Sequence, residues 1–368
     1  MMNLTLLGVG TCVPPHSINQ TQAAQVAKAV CCRNDDQASI LPSLYRQTGI
    51  QNRHMVFAEN AVADVLGGTA HSKCEFLPAE NRGDLGPTTG QRMKRYVAEA
   101  LPLAVQSAKQ ALQRSGVNVG TLTHVITVSC TGFSAPGVDI GLIKELGLAA
   151  SVQRLHVGFM GCHGAIDALR AALAFVRAEQ AARVLLCAVE LCSLHYFYGW
   201  DPKKMVANAL FADGAAALVG AASAGTGEPW QVAATGSCLF PQSEYAMTWN
   251  IRDHGFEMTL STRVPGLIAA QLRPWLARWL GEHGLSIADI GSWAVHPGGP
   301  RVLAAVEESL GLHAGSLAVS REVLAECGNM SSPTLLFVLD RLRARLAARP
   351  CVALGFGPGL VAEAALIV

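Results

Sequence analysis

Cys162 sits in Val157-Gly158-Phe159-Met160-Gly161-Cys162-His163-Gly164-Ala165, a single cysteine among glycines. An apolar helix follows, with Ile166, Leu169, Leu173 and Val176 at helical spacing. Glycine lets the backbone turn sharply and lets a ligand come close. A cysteine at a helix N-terminus faces the positive end of the dipole, which favours thiolate over thiol. Such a thiolate can attack a thioester and hold the acyl group. The blander reading is a core cysteine on a tight turn, since free Cys is so often buried. His163 is the nearest base in sequence, but neighbours on a helix point in different directions, which makes it a packing or rim residue.

Two further segments carry chemistry. Trp293-Ala294-Val295-His296-Pro297-Gly298-Gly299-Pro300 ends a strand in a histidine followed by a rigid turn. A histidine at the end of a central strand points to where α/β proteins bind ligands. His54, His71, His283 and His313 lack such a setting and read as loop or surface residues. Glu326-Cys327-Gly328-Asn329-Met330-Ser331-Ser332-Pro333 places Asn329 before an apolar helix, where an N-cap is the simple explanation. Gly355-Phe356-Gly357-Pro358-Gly359 closes a strand with three glycines in five residues. Its backbone N–H groups are candidates for oxyanion stabilisation, and an ordinary strand-to-strand turn is the alternative. Neither it nor Gly8-Val9-Gly10-Thr11 matches the dinucleotide fingerprint of glycines opening a long helix.

The elements that must position these residues alternate between strand and helix, which argues for an α/β fold. Periodicity predicts helices over Gln91–Arg114, Ala165–Arg177, Gly266–Leu280 and Thr334–Ala347. Strands are predicted over His124–Ser129, Val184–Val189, Trp293–Val295 and Val352–Gly355. The polar, Gly-rich stretch from Val56 to Pro87 shows no period and reads as an insertion or long excursion. A long repeat is present. Gly116-Val117-Asn118-Val119 before one strand recurs as Gly284-Leu285-Ser286-Ile287 before another, 168 positions on. Gly161-Cys162 recurs as Gly328-Asn329 at an offset of 167. An internal duplication would therefore set Cys162 and Asn329 at equivalent helix N-termini facing one pocket.

Composition narrows the class. The 368 residues are 51% hydrophobic and 15% charged with net charge +1, which suits two packed halves and no disordered chain. No basic run suggests nucleic-acid binding. The 11 cysteines show no zinc spacing, so no metal site is expected. The N-terminus lacks signal-peptide character and no apolar run is long enough to span a membrane. A reducing cytoplasm fits these features.

Together the motifs resemble the type III polyketide synthases, the chalcone-synthase-like branch of the thiolase superfamily. Five motifs carry the resemblance in the family's order: the Gly161-Cys162 segment, His296-Pro297-Gly298-Gly299-Pro300, Gly328-Asn329-Met330-Ser331-Ser332, Gly355–Gly359 and Ala209-Leu210-Phe211-Ala212-Asp213-Gly214-Ala215-Ala216-Ala217. The resemblance implies a duplicated five-layer αβαβα thiolase-like fold. Residues 1–223 would form the half with the nucleophile and 224–368 the half with the catalytic His and Asn. It implies Cys162, His296 and Asn329 as the catalytic set, and Cys162 as a thiolate paired with a His296 imidazolium. Phe211 falls at the family's gatekeeper position, with Met258, His195, Ser331 and Ala135 as further cavity positions. Gly355, Phe356, Gly357, Pro358 and Gly359 form the oxyanion or cyclisation loop. Arg46, Arg53 and Arg301 are candidates for coenzyme A phosphates.

The implied reaction joins an acyl-CoA starter to malonyl-CoA by decarboxylative Claisen condensation, in a homodimer with no metal or redox cofactor. His195, Met258, Ala135 and the bulky Leu194–Trp200 segment depart from the plant pattern, which favours a pyrone or resorcinol over a flavonoid. The alternative is a β-ketoacyl synthase III-like enzyme that condenses once, whose histidine lies outside a His-Pro-Gly-Gly-Pro motif.

Overall fold

The computed structural model describes residues 2–79, 83–223 and 230–368. The first half runs β1 (Asn3–Cys12), β2 (His16–Asn19), α1 (Gln20–Cys31), α2 (Asp35–Arg46), β3 (Asn52–Met55) and α3 (Glu59–Gly67). It continues through α4 (Thr89–Ser115), β4 (His124–Ser129), α5 (Val138–Leu146), β5 (Gln153–Gly158), α6 (Gly164–Ala178), β6 (Arg183–Leu191), α7 (Pro202–Leu210) and β7 (Asp213–Ser223). The second half contains β8 (Gln231–Leu239), β9 (Met247–Arg252), β10 (Gly255–Leu260), α8 (Val264–Gly281), β11 (Ser292–Val295), α9 (Pro300–Leu310), α10 (Ala318–Cys327), α11 (Pro333–Ala344), β12 (Cys351–Gly357) and β13 (Val361–Ile367).

Nine strands pair in the order β11-β12-β13-β8-β1-β7-β6-β4-β5. Outwards from the antiparallel β1–β8 seam, the two sides mirror each other: β1, β7, β6, β4 against β8, β13, β12, β11. The starts of β4 and β6, His124 and Arg183, recur as Ser292 and Cys351, both 168 positions on. The repeat read in the sequence is therefore a repeat in the sheet. Only β5 lacks a strand counterpart among the described residues; α10 stands in its place. The halfway boundary after residue 223 borders residues 224–229, which lie outside the described residues.

Alternation along the strands builds the layers. Leu185, Cys187 and Val189 of β6 pack with α4 and α5, while Val184, Leu186 and Ala188 pack with α6 and α11. In the other half, Val352 and Leu354 of β12 pack with α8 and α9, while Cys351 and Ala353 join the α6–α11 side. The result is helix, sheet, helix, sheet, helix, with α6 and α11 in the middle. Strands covered on both faces are apolar throughout, which is why period-2 polarity was absent from them.

The Gly8-Val9-Gly10 motif belongs to this packing. A Cβ at Gly8 would stand 2.3 Å from the Ala111 carbonyl oxygen, and one at Gly10 would stand 2.2 Å from that of Ser107. The glycines let α4 lie directly on β1.

Several boundaries differ from expectation. The last predicted helix stops at Ala344 rather than 347, because the chain turns through Leu346 at φ +53. β11 is an edge strand of the sheet, not a central one; helices bury it instead of flanking strands. The excursion from Val56 contains a helix, α3, ended by Gly68 in a left-handed conformation; residues 80–82 lie outside the described residues. His54 lies on β3, half-buried, with Nδ1 bonded to the Pro14 carbonyl at 2.9 Å, and is not a loop residue.

Candidate active site

Cys162 lies in a 3-10 turn, Gly161–His163, that runs into α6. The turn is shaped by Gly161 at φ +75, whose missing Cβ would stand 2.3 Å from Pro358 Cδ. Its amide donates to the Cys130 sulfur at 3.0 Å. His296 follows β11; its amide donates to the Leu354 carbonyl at 2.8 Å, which carries the strand pairing to its last residue. Asn329 is not an N-cap: α11 starts four residues later and Ser332 precedes it. Asn329 is instead strapped across the molecular halves, donating from its amide to Leu210 O (3.0 Å) and accepting from the Ala212 amide (2.8 Å). That strap makes it the bridge partner of Phe211.

Cys162, His296 and Asn329 open into one cavity of about 1090 Å3, measured out to its mouth. All three are almost fully buried, at 4%, 1% and 1% exposure. The Asn329 Oδ1 accepts from the Ser331 amide at 2.8 Å, leaving its NH2 as the group free to donate. Both ring nitrogens of His296 are buried without a hydrogen-bond partner. Burial pushes the Cys162 thiol up to about 12, against hydrogen bonds from Ser331 and Asn329 that lower it. Burial, and then the charge of His163, pull His296 down to about 3. In this dry pocket each group by itself is held neutral. A helix end alone therefore does not produce the expected thiolate. A Cys162–His296 ion pair would require the thiol proton to pass to the imidazole.

A second cavity, about 910 Å3 to its mouth, meets the first at Phe211 and Met258, which line both. Ser331 and His195 line this inner chamber. Ser331 adopts φ +58. His195 Nδ1 accepts from the Phe256 amide at 2.9 Å, so Nε2 carries the proton and donates to Thr131 O at 2.7 Å. Its ring stacks on Phe256 at 4.2 Å and meets Trp249 edge-on at 5.5 Å. Burial pulls His195 down to about 3, consistent with a neutral wall residue.

Other expected positions fall elsewhere. Ala135 is exposed and lines neither chamber. Arg53 is 4% exposed and donates to the Asn208 and Phe211 carbonyls at 2.6 and 2.9 Å. It braces the Phe211 backbone from inside, where no phosphate in solvent reaches it. Arg301 lines the outer cavity at its exposed edge, and Arg46 is exposed next to Gln47 of the same rim. Gly355 and Gly357 end β12, and Pro358 begins a 3-10 turn through Gly359 to β13, so the segment is a hairpin turn. Phe356 lines the outer cavity. A Cβ at Gly357 would stand 2.3 Å from His163 Cδ2, so that glycine makes room for an imidazole.

Sequence reading missed Glu190. It is fully buried and accepts from Ser332 Oγ (2.6 Å), Thr131 Oγ1 (2.7 Å) and the Cys130 amide (2.9 Å). The carboxylate thus ties β6, the end of β4 and the Asn329 turn together behind Cys162. Its signal was a lone acid inside the apolar run Val184–Leu191. His163, 3% exposed, bonds Asp167 at 2.7 Å, and Glu363 lies close enough for the three to resemble metal ligands. Arg170 already pairs with both carboxylates there.

Comparison with known proteins agrees with this geometry. The family model for the N-terminal domain of chalcone and stilbene synthases matches residues 2–223, and that for the C-terminal domain matches residues 231–368. The alpha-pyrone synthesis polyketide synthase-like Pks18 of Mycobacterium tuberculosis is 35% identical over 98% of this chain and 89% of its own. The 1,3,6,8-tetrahydroxynaphthalene synthase of Streptomyces peucetius is 32% identical over 99% of this chain and 92% of its own. The crystal structure of PKS-I from the brown alga Ectocarpus siliculosus superposes with a TM-score of 0.90 at 30% identity, covering 100% of this chain and 98% of that one. Among the described residues no helix is long and apolar enough to cross a membrane. Matches to both domains leave no place for the single-condensation synthase III alternative. The chain belongs to the chalcone and stilbene synthase family and is a type III polyketide synthase, an acyltransferase of that family.

Proposed function

We propose that the chain loads an acyl group from a coenzyme A thioester onto Cys162, extends it repeatedly with malonyl-CoA, and releases a pyrone or resorcinol. The observation that carries this reading is the pair of chambers meeting at Phe211 and Met258, with Cys162, His296 and Asn329 in the outer one. The second chamber gives a growing chain room beyond the nucleophile. The names of two relatives, for alpha-pyrone and tetrahydroxynaphthalene synthesis, support a cyclised product.

In the first step the Cys162 sulfur attacks the starter carbonyl as its proton passes to His296, and the coenzyme A thiol leaves with that proton. In the second, the His296 ring and the Asn329 amide donate to the carbonyl of malonyl-CoA. Loss of CO2 leaves an enolate whose oxygen these donors hold. In the third, the enolate carbon attacks the acyl–Cys162 thioester and the sulfur leaves. The longer β-ketoacyl-CoA can then reload. Arg301 and Arg46 stand at the rim where the coenzyme A phosphates would lie, and none of these steps calls on a metal or redox cofactor. Incubation with malonyl-CoA and a panel of acyl-CoAs should yield multiply extended, cyclised products by mass spectrometry. Only singly extended products would contradict it.

The proposal includes a homodimer. β5 is the unpaired end of the sheet, and beside it Leu155, Phe133 and Met160 are 37%, 40% and 41% exposed. An apolar patch on a bare strand edge calls for a cover. Sedimentation should give twice the chain mass, and Leu155→Asp should shift it toward monomer; a monomeric wild type would remove this part of the reading.

A further inference from the structure

His163 takes no part in the reaction steps above, yet it is a buried titratable ring next to the nucleophile in the chain. Strand register brings it to His296. β11 and β12 pair in parallel, with Ala294 beside Ala353 and Val295 beside Leu354. Ala294 and Ala353 face the middle helix layer, so alternation turns His296 and Gly355, two residues on, to the same side. Gly355 has no side chain there, and a Cβ on it would stand 3.2 Å from the His163 Cβ. The ring runs on past Gly357, where a Cβ would stand 2.5 Å from Nε2. Two glycines of β12 thus yield their side-chain space to one imidazole, on the face that carries the other.

The ring is anchored in a charged cluster. Its Nδ1 donates to the Asp167 carboxylate at 2.7 Å. Arg170, 39% exposed, pairs with Asp167 at 3.1 Å and also with Glu363, which accepts from Ser237 Oγ at 2.6 Å. Ligand atoms of His163, Asp167 and Glu363 lie within 4.8 Å of one another. Two carboxylates share one guanidinium, so a proton on His163 would make the cluster neutral. The charged and titratable groups facing His163 are Asp167 and Arg170 of α6, Glu363 of β13 and His296 after β11; β12 faces it with glycines. Among the described residues, His163 Nε2 and both ring nitrogens of His296 have no hydrogen-bond partner. The two rings therefore act on each other through charge and not through a bond.

A charge at His163 acts oppositely on the two half-reactions. Loading moves the Cys162 proton onto His296, and a cation beside that ring opposes a second positive charge. Decarboxylation uses His296 as a donor to the enolate oxygen, and the same cation strengthens the donor and offsets the enolate charge. We propose that His163 is a positioning residue acting through His296, favouring decarboxylation when it carries a proton and loading when it does not. The inference rests on the proposed roles of Cys162 and His296. Burial sets Cys162 at about 12 and His296 at about 3, so neither changes charge by itself in between. A pH step common to both half-reactions in that range belongs to a neighbour.

The test follows each half-reaction separately from about pH 5 to about pH 9, the span in which histidines change charge. Acyl loading is read by intact-protein mass without malonyl-CoA, and CO2 release from malonyl-CoA without a starter. As pH rises, loading should increase and CO2 release should fall, each about tenfold and with one shared midpoint; tenfold is the effect of one pKa unit of coupling. His163→Asn keeps a donor where Nδ1 stands and cannot titrate, so both steps should vanish. Should that variant fold poorly, Asp167→Asn removes the carboxylate that holds a proton on His163, and the shared midpoint should move to lower pH. Wild-type slopes that do not oppose each other, opposing slopes that persist in His163→Asn, or a midpoint unmoved in Asp167→Asn would overturn the role of His163 while leaving Cys162 and His296 as assigned. Absence of loading at every pH would instead sink the reading of Cys162 on which it rests.

Discussion

Cys162→Ala should show no acyl adduct after incubation with any acyl-CoA, and product formation should fall by at least about 10⁴-fold. That is the scale on which removal of a nucleophile acts when catalytic groups work as a unit. Cys130 and Cys192 line the inner chamber, not the outer cavity that holds His296 and Asn329. The Cys130 sulfur is, moreover, already accepting from the Gly161 amide. The substitution removes one sulfur atom and leaves Gly161, Pro358 and His163 to hold the turn, so the fold should persist. An adduct on the alanine variant, mapped by peptide mass to Cys130 or Cys192, would show that the nucleophile is misassigned.

How far the sequence discloses this site depends on whether a residue's partners are near it in the chain. Cys162 and His296 each stand in a local pattern, glycines before a helix or a Pro-Gly turn after a strand, and those patterns formed as read. Strand β4 came out at the predicted limits, His124–Ser129, because it is short, apolar and bounded by turn residues on both sides. Asn329 was harder: its position before α11 suggested a cap, whereas its strap to Leu210 and Ala212 lies more than a hundred residues away in sequence. Arg53 failed for the same reason. Its sequence says exposed cation, and only the carbonyls of Asn208 and Phe211 turn it inward. Trp249 and Phe256 were not singled out at all. They sit on the small β9–β10 hairpin, and nothing local tells that this hairpin closes over His195. The duplication was the exception: a long-range feature legible because it leaves the same spacing twice.

Asn329→Asp should lower CO2 release from malonyl-CoA, measured without a starter, by about 10²–10³-fold, the effect of losing one oxyanion donor. The choice of Asp matters. The Ser331 amide donates to Asn329 Oδ1, so the acid keeps that bond and the local backbone while replacing the inward NH2 with a second acceptor. An acceptor there opposes the enolate oxygen instead of holding it. Acyl loading should suffer less, because its first demand is a base for the Cys162 proton, and that base is His296. His296→Ala should therefore lose both activities, since the same buried ring must take the thiol proton and donate to the malonyl carbonyl. The two variants separate the roles by ratio and not by total loss. Wild-type CO2 release by Asn329→Asp would refute the donor role of Asn329. Normal loading by His296→Ala would mean that Cys162 gives up its proton to a group other than His296.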